Sequence, residues 1–345
     1  MALLEVNDLN VKYYTPDGVV HASNDISYKI RRGERFGVVG ESGAGKSVSA
    51  RAVLRLIESP GQIENGEIMF KGQNLLELSK EEMRKKRGQE IAMVFQDAQT
   101  ALNPVYTVGE QIAEPVRDHL GYSKEEAKDR AIEMLELVGI PDPKERYSDY
   151  PHEFSGGMQQ RAVIAIALSC EPDLLICDEP TTALDVTIEA QILELLEELS
   201  QEFETAIQLI THDLGVIAEV CNRAMVMYGG KCVEKATVEE LFYNPKHPYT
   251  VGLMKSIPRI STLQNELETI PGTMPNLIQF PPGCDFHPRC PFAEEVCTKE
   301  EPELLPIDES EYVDSSAKGT HFASCLEYDD KLVHGLDYTV TVEDE

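Results

Sequence analysis

Eight consecutive residues, Gly40-Glu41-Ser42-Gly43-Ala44-Gly45-Lys46-Ser47, satisfy the pattern G-x-x-x-x-G-K-[ST] in full. Glycines at these places let backbone N–H groups curl inward around an anion, and a helix that follows adds its positive N-terminal end. A lysine in the seventh position reaches the β- and γ-phosphates of a nucleoside triphosphate, and the hydroxyl after it ligates Mg²⁺. Lys46 and Ser47 are the residues for those roles. The plain alternative is a glycine-rich turn with an exposed lysine. The flanks argue against it: the β-rich run Arg35-Phe-Gly-Val-Val39 precedes the loop, and an Ala/Leu/Arg-rich helical pattern from about Lys46 to Ile57 follows.

A second acidic position lies far downstream, where the apolar run Leu174-Leu-Ile-Cys177 ends in Asp178 and Glu179. Open α/β sheets bind ligands at the carboxyl ends of their strands, where such a run delivers its acids. Asp178 is then a candidate Mg²⁺ ligand, directly or through water. Glu179 is placed to polarise a water that attacks the γ-phosphorus. Between the two regions, Phe154-Ser155-Gly156-Gly157-Met158-Gln159-Gln160-Arg161 opens the apolar stretch Ala162–Leu168. Ser-Gly-Gly ahead of a helix is a second anion nest of N–H groups, hydroxyl and dipole end, although a serine N-cap on a glycine turn has the same spelling.

The elements needed to position these residues follow from the pattern. Strand-like runs at 35–39, 174–177, 206–210 and 224–228 alternate with helical stretches, among them 188–203, which predicts an α/β core with a mostly parallel sheet. Gly66–Gly72 looks like an edge hairpin strand. From about 97 to 160 the chain turns helical and loop-rich, with Pro104, Pro115, Pro141, Pro143 and Pro151 as punctuation, and reads as a helical insertion into the core. Beyond about residue 240, prolines at 245, 248, 258, 271, 275, 281, 282, 288, 291, 302 and 306 predict a loop-rich appendage. The expected organisation is a core over 1–240, an appendage over 241–330 and an acidic tail over 331–345, where the alternation at 338–342 could form a strand.

Taken in order, these segments resemble the ATP-binding-cassette (ABC) ATPase family, a branch of the P-loop NTPases whose signature motif has the form of Ser155-Gly156-Gly157. The resemblance implies further roles. Gln96 in Met93-Val-Phe-Gln-Asp97 matches the glutamine that contacts Mg²⁺ and reports nucleotide state to membrane subunits. Asp185 in Ala183-Leu-Asp185 matches the loop that crosses to a partner ATPase. His212 matches the switch histidine near the γ-phosphate, and Tyr13 the aromatic that stacks on adenine, with Tyr14 as its neighbouring candidate. The family mechanism pairs two ATPases head to tail, so that Ser155, Gly156 and Gly157 of one subunit cap the ATP held by the other.

Two stretches are similar to the dipeptide/oligopeptide importer branch of that family. Thr100-Ala-Leu-Asn-Pro104 through Gln111 resembles its membrane-subunit contact. Asn244-Pro-Lys-His247-Pro248-Tyr249-Thr250, with Gly283-Cys284-Asp-Phe-His-Pro-Arg-Cys290-Pro291, resembles its C-terminal extension. The resemblance implies an ATPase that drives peptide uptake, with a second and paralogous ATPase subunit, two permease subunits and an extracytoplasmic binding protein as partners. Nickel, glutathione or sugar cargo, or a non-transport ABC ATPase, are the alternatives, because such a subunit does not touch cargo.

Composition narrows the classes. The chain has 345 residues with 61 Asp+Glu against 31 Lys+Arg, a formal net charge of −30, which disfavours nucleic acid and anionic lipid as partners. No apolar run approaches the ~18 residues of a membrane span, and acids interrupt the N-terminal segment, so the expected place is the cytoplasmic face of the membrane, held by integral partners. Cys170, Cys177, Cys221 and Cys232 read as small core residues. Cys284, Cys290, Cys297 and Cys325, with five, six and 27 residues between them, lack the C-x₂-C pairing of structural zinc. Some members of the importer branch bind a [4Fe–4S] cluster through such cysteines; zinc and unmetallated thiols are the alternatives.

Overall fold

The computed structural model describes residues 2–182, 184–256, 269–307 and 321–329. Ala183, and the tail at 331–345 with its expected strand, lie outside the described residues. In chain order the first elements are β1 (Ala2–Thr15), β2 (Gly18–Arg31), β3 (Arg35–Val39), α1 (Lys46–Val53), β4 (Gly61–Phe70) and β5 (Gln73–Asn74). Then come α2 (Lys80–Gln89), β6 (Ile91–Val94), α3 (Ala98–Ala101), α4 (Val108–Leu120), α5 (Lys124–Leu137), α6 (Pro143–Arg146) and α7 (Gly156–Leu168). β7 (Leu174–Asp178), α8 (Val186–Glu202), β8 (Ala206–Thr211), α9 (Leu214–Val220), β9 (Arg223–Tyr228) and β10 (Lys231–Thr237) follow. The last are α10 (Val238–Tyr243), α11 (Pro248–Lys255), β11 (Leu305–Pro306) and β12 (Phe322–Ala323). The chain forms two compact units.

The first unit comprises residues 1–3, 30–35 and 71–210. Its β6, β7 and β8 run parallel, with Ile91 opposite Leu174 and Leu174 opposite Ala206. Every residue of β7 and β8 is buried, which is why both read as largely apolar runs rather than alternating ones, with Gln208 the polar residue inside β8 and Asp178 and Thr211 closing the two strands. Helices α3 to α6 and the start of α7 occupy the stretch from 97 to 160. Thr107 caps α4 by accepting from the Glu110 amide, and Ser123 with Glu126 forms a capping box on α5. Val108, Ile112 and Val116 of α4, with Ala131, Met134 and Leu135 of α5, are fully buried.

Helical expectations differ from the structure at Pro115 and at the end of α1. Pro115 lies inside α4 rather than ending an element, so the Gln111 carbonyl loses its helical donor. Helix α1 stops at Val53, short of Ile57, because Arg55 adopts a left-handed φ of 53°. Continuous apolar spacing outlasts the helix there.

The second unit comprises residues 4–29, 36–70 and 211–345. β1 pairs antiparallel with β4, which makes β4 longer than the strand expected at 66–72. β3 runs parallel to β9, and β9 returns as β10 through Gly229-Gly230. The appendage adds β12 to the free side of β10 and β11 to β12.

Glu234 of β10 is wholly buried and anchors the appendage. Its carboxylate accepts from the Lys246 amide at 2.7 Å, the His247 amide at 2.8 Å and His321 Nε2 at 2.6 Å. A buried carboxylate requires this many donors to offset its lost hydration. His247 in turn caps α11, its Nδ1 accepting from the Tyr249 amide at 3.1 Å. Burial pushes the His247 pKa down to about 4, so the ring stays neutral and that nitrogen keeps its lone pair. Pro248, expected to break structure, opens α11 at the position where a missing N–H costs nothing.

Candidate nucleotide site

β3 delivers the chain to Gly40 and α1 leaves at Lys46, giving the strand–loop–helix order that the sequence predicts. Gly45 has φ 95°, and a Cβ there would lie 2.2 Å from the Ala22 carbonyl oxygen, so no other residue fits. The loop is braced by Ala44, whose amide donates to the Glu41 carbonyl and whose carbonyl accepts from the Gly230 amide. Lys46 is buried, and its ammonium donates to the Gly40 carbonyl at 2.7 Å and the Glu41 carbonyl at 3.1 Å. The lysine thus lies folded over its own loop, a compact positive charge at the place where a polyphosphate would bind.

Two groups from the appendage hold Glu41. Tyr249 Oη accepts from the Glu41 amide at 2.8 Å, and Arg289 grips the Glu41 carboxylate through both terminal nitrogens, at 2.6 and 3.0 Å. Sequence reasoning missed both. Tyr249 and Arg289 lie in stretches already singled out for their branch resemblance, but nothing local ties them to a loop more than 200 residues earlier.

Tyr13 lies on β1 opposite Gly61, half-buried, whereas Tyr14 is exposed and donates to Glu64 at 2.7 Å. A Cβ on Gly61 would come within 2.6 Å of the Tyr13 ring, so that glycine leaves room for it. His212 follows β8 on the surface, just before Asp213 caps α9.

In the first unit, β7 ends at Asp178, which is 1% exposed. Glu179 then turns the chain with a left-handed φ of 49°, while its amide still donates to the Ile210 carbonyl. That turn carries its carboxylate off the line of the strand. Gln96 Nε2 donates to Glu179 Oε2 at 3.0 Å, and Thr182 Oγ1 donates to the same oxygen at 2.9 Å. The structure therefore brings Gln96 and Glu179 together, two residues singled out on separate grounds, and adds Thr182. Asp185 caps α8 by accepting from the Ile188 amide at 3.0 Å.

Ser155 is the N-cap of α7 and accepts from the Met158 amide at 3.3 Å. Ser155 and Gly156 are exposed, and a Cβ on Gly156 would meet nothing within 4 Å. A Cβ on Gly157 would instead lie 2.9 Å from Ile188. Arg161 ties α7 down by donating to the Val138 carbonyl at 2.6 Å. The structure shows the serine cap, and that cap leaves the first turn of α7 facing solvent.

The four late cysteines line one cavity with His247, His287, Phe286 and Phe292. All four are free thiols, Cys297 buried and the others half-buried. Burial pushes Cys284 and Cys290 up to about 11 and Cys325 up to about 12, so without a metal these are neutral thiols. Among the described residues no three His, Cys, Asp or Glu side chains converge as a ready metal site. What the structure does show is that the four cysteines line the same hollow. Cys170, Cys177, Cys221 and Cys232 are buried as expected. Among the described residues no helix is long and apolar enough to cross a membrane.

Residues 23–182 match the model of the ABC transporter family, and residues 233–297 match the C-terminal region of oligopeptide/dipeptide transporters. The chain is 51% identical to the oligopeptide transport ATP-binding protein OppD of Haemophilus influenzae over 86% of its own length and 91% of the relative's. Against OppD of Bacillus subtilis the identity is 50%, covering 91% of this chain and 88% of that one. The dipeptide transport ATP-binding protein DppD of Bacillus subtilis is also 50% identical, with 86% and 89% covered. A solved dimer of the ATP-binding cassette MJ0796, bound to ADP and Pi, superposes with a TM-score of 0.61 at 27% identity, covering 68% of this chain and 98% of that one. The loop at 40–47, the acids closing β7 and the capped Ser-Gly-Gly helix thus belong to one fold, and the chain is an ABC-family ATPase of the oligopeptide/dipeptide transport branch.

Proposed function

We propose that this ATPase drives uptake of dipeptides and oligopeptides, docked on two permease subunits at the cytoplasmic face of the membrane and paired with a second, paralogous ATPase. The observation that carries the nucleotide half is Lys46, buried and folded onto the carbonyls of its own glycine loop. The peptide half rests on the branch-specific C-terminal region and on relatives named for oligopeptide and dipeptide transport.

In this reading the loop Gly40–Ser47 wraps the triphosphate and Lys46 offsets charge on its β- and γ-phosphates. Tyr13 stacks on the adenine. Ser47, Gln96 and Asp178 are the residues that would hold Mg²⁺, which supplies charge neutralisation at the phosphates. Glu179 accepts a proton from water as its oxygen attacks the γ-phosphorus; the bond to the ADP oxygen breaks and phosphate leaves. Gln96 and Thr182 hold the Glu179 carboxylate in one orientation, and His212 donates to the γ-phosphate. Ser155, Gly156 and Gly157 close over the partner's ATP, and Asp185 lies on the loop that meets that partner. Loss of the γ-phosphate removes the group bridging the two subunits, so the pair opens and the permease resets.

Reconstitution with the co-purified permeases and binding protein in liposomes tests this. ATP hydrolysis is expected to rise severalfold with a loaded binding protein, and labelled di- or tripeptide to accumulate inside. Hydrolysis indifferent to the permeases would indicate a non-transport ATPase, and accumulation of nickel or sugar alone would displace peptide as cargo.

The same reading assigns Cys284, Cys290, Cys297 and Cys325 to a [4Fe–4S] cluster, which would supply a rigid crosslink to the appendage. Anaerobically purified protein is expected to be brown, with absorbance near ~400 nm and about four iron per chain, and Cys297→Ser to lose most of both. Colourless protein with stoichiometric zinc, or with no metal, would sink this assignment.

A further inference from the structure

We infer that Arg289, supported by Tyr249, is a positioning and charge-neutralising clamp that sets the ATP affinity of the phosphate loop from the C-terminal appendage. This deepens the nucleotide reading of residues 40–47 and rests on it.

The geometry is specific. Glu41 is the second residue of the loop, next to Gly40 and within the turn that would wrap phosphate. A carboxylate in that position is unfavourable for binding a polyanion, because like charges repel. The Arg289 guanidinium meets it in a fork, both terminal nitrogens donating to the two Glu41 oxygens. Such planar, bidentate pairing is what arginine provides and lysine does not. Its side chain is 4% exposed, and its Nε donates to the Pro271 carbonyl at 2.8 Å, so the fork is held from behind. It also lies 5.7 Å from the centre of the Tyr228 ring.

Tyr249 works on the backbone of the same residue. Its hydroxyl oxygen accepts from the Glu41 amide, which fixes the first turn of the loop. The ring is fully buried against Tyr228 and Phe286, at centroid distances of 4.7 and 5.5 Å. Burial also drives the phenol well above its ordinary range, so it remains neutral. Side chain and backbone of one loop residue are thus both held by the appendage, one contact cancelling charge and the other fixing shape.

The test uses the full chain and a fluorescent ATP analogue, with Kd read by titration. Arg289→Ala is expected to weaken ATP by about tenfold, a coupling of ordinary size between linked sites. Adding Glu41→Gln to Arg289→Ala should recover most of that loss, because the unpaired carboxylate has gone. The tenfold penalty should also shrink as salt is raised. Arg289→Lys should fall between wild type and alanine, and Tyr249→Phe, which keeps the ring and deletes only the acceptor, should weaken ATP by about threefold. Thermal melts and metal content verify that each variant is folded. A purely structural Arg289 would show no recovery in the double variant, and unchanged Kd in folded Arg289→Ala and Tyr249→Phe would overturn the clamp. Lys46→Ala separates the two levels: if it abolishes binding while the clamp variants do not alter it, only the clamp is wrong. If Lys46→Ala binds normally, the nucleotide reading of the loop is wrong.

Discussion

Glu179→Gln is expected to bind Mg–ATP with near-normal affinity and to hydrolyse it on the order of 10²–10⁴-fold more slowly, the usual contribution of a positioned general base. Glutamine keeps the length of the side chain and one oxygen that can accept from Gln96 Nε2 or Thr182 Oγ1, so the local hydrogen bonds survive. It also tolerates the left-handed backbone at this position as well as glutamate does. What disappears is the ability to take a proton from water. With hydrolysis stalled, ATP should hold the paired ATPases closed. Phosphate release measured beside size-exclusion chromatography with ATP would show low turnover and a larger species. Turnover within a fewfold of wild type would remove Glu179 from the role.

Gly156→Asp separates fold from assembly more sharply. In the isolated chain nothing lies within 4 Å of a Cβ at this position, so a side chain is accommodated. Aspartate in the first turn of α7 even suits the positive end of the helix and should leave the melting temperature unchanged or slightly raised. ATP binding by one subunit's own loop should likewise be retained. Hydrolysis in the assembled complex, however, should drop by at least about 100-fold, because a carboxylate would then point at a partner's γ-phosphate where N–H donors are needed. The contrast between an intact single-chain binding isotherm and lost turnover is the diagnostic result. Normal turnover in this variant would mean that Gly156 does not face nucleotide at all.

What the sequence disclosed, and what it withheld, follows the range of the interactions. The loop at 40–47, the acids after 174–177 and the capped Ser155 helix are contiguous, and each sets its own backbone within a few residues, so their spelling is enough. The parallel strands were legible because burial on both faces makes them largely apolar, Gln208 inside β8 being the exception. Helix α1 ends early because Arg55 leaves the helical region, a backbone event with no apolar signature. Pro115 inside α4 shows the converse, a breaker overruled by a well-buried amphipathic helix. The grip of Arg289 and Tyr249 on Glu41 was invisible, since only the fold brings those residues together. The contact of Gln96 with Glu179 spans 83 positions and was likewise unreadable as a contact, although each residue had been picked out by its own motif.

The small ladder in which β12 covers β10 has a practical meaning for anyone who would shorten this chain. Glu234 and Lys235 pair there with Ala323 and Phe322, and the Ser324 amide donates to the Val233 carbonyl at 2.8 Å. A version cut near residue 240 would bare that strand's unsatisfied amides and carbonyls and leave the carboxylate of Glu234 without its His321, Lys246 and His247 donors. An open, hydrogen-bond-hungry margin of this kind invites copies to zip together. The β11–β12 end of the appendage is thus also the molecule's safeguard against sticking to itself.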